Sequence, residues 1–78
     1  MMKIEVLGTG CAKCKRLLAN IQEAVKDLGA EAEVIKVDSI DQIVERGVMS
    51  TPALFIDGEM RLSGRVPTVD ELKKIIQG

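Results

Sequence analysis

The sequence of 78 residues predicts an α/β fold with the element order β-α-β-α-β-β-α. Apolar residues recur at Cys14, Leu17, Leu18, Ile21, Val25 and Leu28, the i, i+3, i+4, i+7 stripe of a long amphipathic helix. Short β-branched runs lie on either side of it, at Met2 to Leu7 and at Glu31 to Val37. Further along, Asp57-Gly58 separates two more short runs, the composition of a two-residue hairpin turn.

Taken in order, Met2 to Leu7 reads as a first strand, with β-branched Ile4 and Val6. Gly8-Thr9-Gly10 follows as a loop, its glycines permitting a sharp turn. The first helix is expected over Ala12 to Leu28, with Gly29 as its stop. Glu31 to Val37 is a second strand. A strand, a helix of this length and a second strand form a right-handed βαβ unit, so the two strands are expected to run parallel. Ser39-Ile40-Asp41-Gln42 has the form of a capping box. Ile40, Ile43 and Val44 are expected to form the apolar face of a short helix ending at Gly47. Ala53 to Ile56 is the third strand, and Met60 to Ser63 the fourth, antiparallel to it across the turn. Pro67 and Thr68 open the last helix. Thr68-Val69-Asp70-Glu71 is a second capping box, and Val69, Leu72, Ile75 and Ile76 make the apolar face.

Bulk composition narrows the function. Hydrophobic content of 46% and charged content of 29% describe a globular chain, and residues 1–78 are expected to form a single domain. Net charge is −1, without a block of like charges, and Phe55 is the only aromatic residue. Neither nucleic acid nor an anionic membrane is an expected partner. No apolar run approaches the roughly 18 residues of a membrane span. Met1-Met2-Lys3 leads into a strand without a secretory h-region, so a cytoplasmic monomer is expected.

In the cytoplasm a C-x-x-C pair is more often catalytic or metal-binding than structural. Cys11 and Cys14 have that spacing, between the first strand and the long helix. Cys14 lies on the apolar stripe and is expected to face the core. Cys11 lies at the helix tip and is expected to face solvent. One exposed and one shielded sulfur at a helix N-terminus suits dithiol–disulfide chemistry. Two ordinary buried cysteines would share the spacing. So would half of a zinc site, but the chain has no histidine and no further cysteine, so that site would need a second chain. Lys13, Lys15 and Arg16 flank the pair, either as thiolate-stabilising charges or as an ordinary solvated helix face. Met49 and Met60 read as core or rim filler rather than copper ligands. Thr51-Pro52 stands just before the third strand, where proline is tolerated as a strand start and where a cis peptide is accessible.

Cys11-Ala12-Lys13-Cys14, Thr51-Pro52, the Asp57-Gly58 hairpin and Ser63-Gly64 together resemble the thioredoxin/glutaredoxin superfamily. The likeness is to its small, glutaredoxin-sized branch, the "redox-active disulfide protein" thioredoxins of archaea and bacteria. It implies a thioredoxin-like four-stranded mixed sheet, order 2-1-3-4, with helices on both faces. It also implies a cis-proline at Pro52 beside the dithiol, and thiol–disulfide exchange as the function. Glu5 stands six residues before Cys11, where thioredoxins hold a buried acid. It is a candidate proton acceptor for Cys14, or else a polar residue on a sheet face thinly covered by the short second helix. Gly10 replaces the tryptophan common in thioredoxins, and Ala12-Lys13 replaces the aromatic common in glutaredoxins.

The expected activity is that of a protein disulfide reductase with no bound cofactor. Cys11 attacks a substrate disulfide, Cys14 resolves the mixed disulfide, and Thr51 and Pro52 position the substrate. The expected partners are disulfide-containing proteins and a flavoprotein reductase of the thioredoxin-reductase type, in preference to glutathione. A Cu(I)-type soft-metal carrier and a non-enzymatic redox sensor are the alternatives for the same C-x-x-C. Heavy-metal domains of this length run β-α-β-β-α-β and end in a strand, whereas this chain is expected to end in a capped helix.

Overall fold

The computed structural model describes residues 2–77. In chain order these form β1 (Met2–Leu7), α1 (Ala12–Leu28), β2 (Ala32–Val37), α2 (Ile40–Glu45), β3 (Ala53–Ile56), β4 (Glu59–Ser63) and α3 (Val69–Gln77). This is the predicted order, and β1, α1 and β3 have the predicted bounds. β4 begins one residue early because Asp57 and Gly58 alone make the turn, at φ 51° and 84°, so that Glu59 already pairs with Ile56.

The sheet order is β2-β1-β3-β4. β1 and β2 are parallel, with Ile4 opposite Val34, and β3 is antiparallel to both β1 and β4. Side chains alternate across the sheet. Ile4, Val6, Leu54, Ile56 and Leu62 point to one face, where Leu17, Ile21 and Ala24 of α1 and Leu72 and Ile76 of α3 cover them. Leu7, Val37, Ala53 and Phe55 point to the other, under Ile43 and Val48. Two long helices therefore seal one face and a single short helix the other.

That short helix departs from expectation. Ile43 is buried, but Ile40 and Val44 are 65% and 66% exposed. Ile43 and Arg46, three residues apart, lie on the side of α2 turned to the sheet, because the Arg46 guanidinium grips Glu5 of β1 and lies 5.2 Å from the Phe55 ring centroid. Ile40 and Val44 occupy the other flank and are carried outward. The Ser39 capping box also fails to form: Ser39 is the N-cap residue, but its side chain makes no cap bond. This helix tip is exposed, so water can satisfy its free N–H groups. The second box is closed. Glu71 N–H donates to Thr68 Oγ1 at 3.2 Å, and Thr68 N–H donates back to Glu71 Oε1 at 3.4 Å. No helix among the described residues is long and apolar enough to cross a membrane.

Candidate active site

The C-terminal end of β1 delivers the chain to the tip of α1 through Gly8-Thr9-Gly10. Gly10 takes the turn at φ 87°. Gly8 is glycine for a different reason, since it is not among the positive-φ residues. A Cβ built on it would collide with Cys14 Sγ, come within 3.1 Å of Cys14 Cβ, and lie 3.9 Å from Pro52 Cα. Gly8 is thus the floor on which the buried cysteine rests, and it brings Pro52 against the same spot.

Cys11 is the N-cap of α1, in extended geometry, and is exposed. Its Sγ accepts the Cys14 backbone N–H at 3.3 Å. Cys14, one turn on, is 4% exposed. Both cysteines are free, and their sulfurs lie 2.6 Å apart. The surroundings drive the two thiols in opposite directions. Cys11 is lowered, first by the hydrogen bond from the Cys14 thiol and then by backbone N–H groups, those of Cys14 and Lys13 among them. Cys14 is raised, first by burial and then because its proton is held toward Cys11. The Lys13 contribution runs through its backbone N–H, and the ammonium groups of Lys13 and Lys15 are not among these causes. Free N–H groups at the helix start therefore act to lower the Cys11 thiol. Lys15 lies instead at a cavity of about 20 Å³ beside Cys14, which Lys36 of β2 also lines. Sequence reasoning missed Lys36 because only the β1–β2 pairing brings it here.

The Thr51–Pro52 peptide is cis. Pro52 is buried and its carbonyl accepts the Gly64 N–H at 2.8 Å, which ties the loop before β3 to the end of β4. Thr51 is exposed, and among the described residues no loop hydrogen bond occupies its backbone. Met49, expected as filler, is 98% exposed, and Met60 48%, because both stand on turns or edges with nothing packed over them.

Glu5 is buried on the α2 face of the sheet. Its carboxylate is held by Arg46 in a two-pronged pair, Nη2 to Oε2 at 2.6 Å and Nη1 to Oε1 at 3.2 Å. The Arg46 hydrogen bonds hold the Glu5 carboxyl below the usual carboxylate range. Glu5 makes no hydrogen bond to either sulfur among the described residues. The geometry is that of an ion pair closing a thinly covered sheet face. Arg46 carried no motif in the sequence, and its partner lies 41 positions away.

Comparison with known proteins agrees with this arrangement. A family described as thioredoxin domain matches residues 2–77. A thioredoxin of Methanothermobacter thermautotrophicus is 50% identical over 76 residues, spanning 97% of this chain and 99% of that protein. A thioredoxin of Methanocaldococcus jannaschii is 38% identical over 74 residues, spanning 95% and 85% respectively. Among solved structures, thioredoxin-2, a component of malaria parasite protein secretion machinery, matches with a TM-score of 0.77. It is 15% identical and is covered to 82%, against 99% of this chain, so it speaks to the fold alone. With the C-x-x-C pair at Cys11 and Cys14, these relatives make the chain a thiol–disulfide oxidoreductase, a thioredoxin-like electron carrier acting on disulfide substrates. The sheet order, the dithiol at the tip of α1 and the relatives together place this chain in the thioredoxin family.

Proposed function

We propose that Cys11 is the attacking thiol and Cys14 the resolving one, and that a flavoprotein reductase of the thioredoxin-reductase type returns the electrons. The observation that carries the assignment is the division of the pair: an exposed sulfur fed by backbone N–H groups against a buried one that keeps its proton. The Cys11 thiolate attacks one sulfur of a substrate disulfide, and the other sulfur leaves with the bonding electron pair. Cys14 then loses its proton and attacks Cys11 Sγ. The second substrate thiolate departs, and the Cys11–Cys14 disulfide remains. Two electrons have passed to the substrate, and a reductase must restore them. No bound cofactor takes part. The unoccupied backbone of Thr51 beside Pro52 would hold an extended substrate segment as an added strand.

Glutathione is the weaker donor in this reading. Lys13 and Arg65 are the candidate partners for its carboxylates, and Arg65 is engaged by Glu71 at 3.1 Å, so the preference rests on the shape of the rim rather than on a lack of charge. Ala12 and Lys13 leave an open rim suited to a protein surface. The reading places the protein in the cytoplasm as a monomer. The test is NADPH oxidation with oxidised protein as acceptor, using thioredoxin reductase in one series and glutathione with its reductase in the other. Faster turnover with thioredoxin reductase is expected. Equal or faster turnover with glutathione overturns the donor assignment, and reduction by neither favours the sensor. Timed alkylation at neutral pH with peptide mapping tests the roles: label must appear on Cys11 first.

A further inference from the structure

The tip of α1 is charged against its own helix. A helix N-terminus carries a partial positive charge, which acids stabilise and cations oppose. The first turn of α1 holds no acid, and Lys13, Lys15 and Arg16 stand at its start. The rule is obeyed elsewhere in the same chain: Asp70 and Glu71 occupy the first turn of α3, and Lys26 the last turn of α1. The misfit is therefore local to the dithiol. Nor does it reflect a basic chain, since net charge is −1. A second element adds to it, because Lys36 of β2 lines the same cavity as Lys15 and Cys14. All four cations are exposed, and none takes part in an ion pair among the described residues. Asp38, just past β2, is the acid nearest to Lys36 in the chain. Helix geometry spreads Lys13 and Lys15 to opposite flanks of the buried stripe, with Arg16 outward between them. The result is a positive collar on the first turn of the helix that Cys11 caps, which Lys36 extends on the Cys14 side.

Unpaired cations beside a thiol act on whatever charged group approaches it. We propose that Lys13, Lys15, Arg16 and Lys36 select disulfide substrates whose cysteines are flanked by acidic residues. The proposal rests on Cys11 as the attacking thiol. Complementary charge raises the encounter rate and fixes orientation, and salt removes the advantage, since the screening length is about 10 Å at 0.1 M.

Two synthetic peptides closed by one disulfide test this, one with glutamates beside each cysteine and one with glutamines. Reduction of each by the pre-reduced protein is followed at low and high salt. Each rate is divided by that of the same peptide with 2-mercaptoethanol, an uncharged thiol, which removes intrinsic differences in reactivity. The glutamate peptide is expected to react about tenfold faster at low salt, with the ratio falling toward one at high salt. The quadruple variant Lys13→Gln/Lys15→Gln/Arg16→Gln/Lys36→Gln should bring the ratio near one at any salt. If it does not fold, Lys15→Gln/Lys36→Gln should lower the ratio about threefold. A role confined to thiolate stabilisation would slow both peptides alike and leave the ratio standing, which overturns the proposal. So does a native ratio near one at low salt. Cys11→Ser and Cys14→Ser check the underlying reading separately: each keeps one thiol and can go only as far as a mixed disulfide with the peptide, so if that adduct, read by mass spectrometry, forms with Cys11→Ser and not with Cys14→Ser, the thiol roles are reversed, whatever the ratio.

Discussion

The N-termini of α1 and α3 solve the same problem with different atoms. Each must satisfy backbone N–H groups that have no partner within the helix. At α3, Thr68 and Glu71 bond each other's backbone, and acids fill the first turn. At α1 the cap is a sulfur, Cys11 Sγ on Cys14 N–H at 3.3 Å, followed by cations. The first arrangement stabilises a helix and, through Glu71, also holds Arg65. The second yields a poorer cap, and its donors are aimed at the Cys11 sulfur. Stability and reactivity draw on the same N–H groups, so one terminus cannot maximise both.

Substitutions can separate the two. Cys11→Ser has the largest expected effect on activity, with disulfide reduction falling to background. The helix should be no less stable, because serine is a preferred cap. An insulin-type turbidity assay beside a thermal melt checks both halves. Gly8→Ala comes next. Its methyl group needs the space of Cys14 Sγ, and overpacking of that kind costs about 1–3 kcal/mol. Release of substrate from the mixed disulfide should also slow, which single-turnover kinetics would show.

Arg46→Ala probes the other face of the sheet. It strands the buried Glu5 carboxylate. Breaking a fully buried pair costs about 3–5 kcal/mol, and because the Arg46 side chain keeps 35% exposure, about 2 kcal/mol is expected by urea unfolding. The pH dependence has a definite sign. The folded pKa of Glu5 is lowered, so the pair stabilises the protein above the unfolded carboxylate value of about 4.3. That stability is lost as pH falls through the folded value. Arg46→Ala should therefore lose most against the native protein near neutrality, and the gap should close in acid.

How much of this was legible in the sequence follows from the range of each interaction. The strands, α1, the Asp57-Gly58 turn, the Thr68 cap and the C-x-x-C pair are written in windows of a few residues, and all were readable. The outward turn of Ile40 and Val44 was not, because Arg46 sets it by reaching a strand 41 positions away. The same distance hid the engagement of Glu5. Lys36 joins the site through β-pairing alone. Gly8 was legible as a glycine but read as a turn, when its reason is the sulfur packed against it.

The smaller effects sharpen the contrast between the termini. Thr68→Ala should cost about 1 kcal/mol in a denaturant melt and leave the rate of disulfide reduction unchanged. Lys13→Glu should do the reverse at α1. An acid in the first turn is worth about 0.3–1 kcal/mol of added stability. The same charge beside Cys11 should raise its pKa, read as an upward shift in the pH profile of alkylation. A variant that is both more stable and more reactive would show that the two demands do not compete.

The sheet order carries a consequence for how the protein comes to be active. β1, α1 and β2 form a unit continuous in sequence, residues 2–37, and it contains both cysteines. Pro52, which packs against Gly8 beside Cys14, belongs to the later half of the chain. The halves meet through the β1–β3 ladder, from Ile4 opposite Ile56 to Leu7 opposite Ala53. Contacts of such sequence separation close late, after the local βαβ unit has had time to form. A βαβ unit that formed first would display the dithiol before the Pro52 loop reached it. Cysteine labelling during refolding would then report two stages, an early sulfur set by the helix and a late one set by the completed sheet.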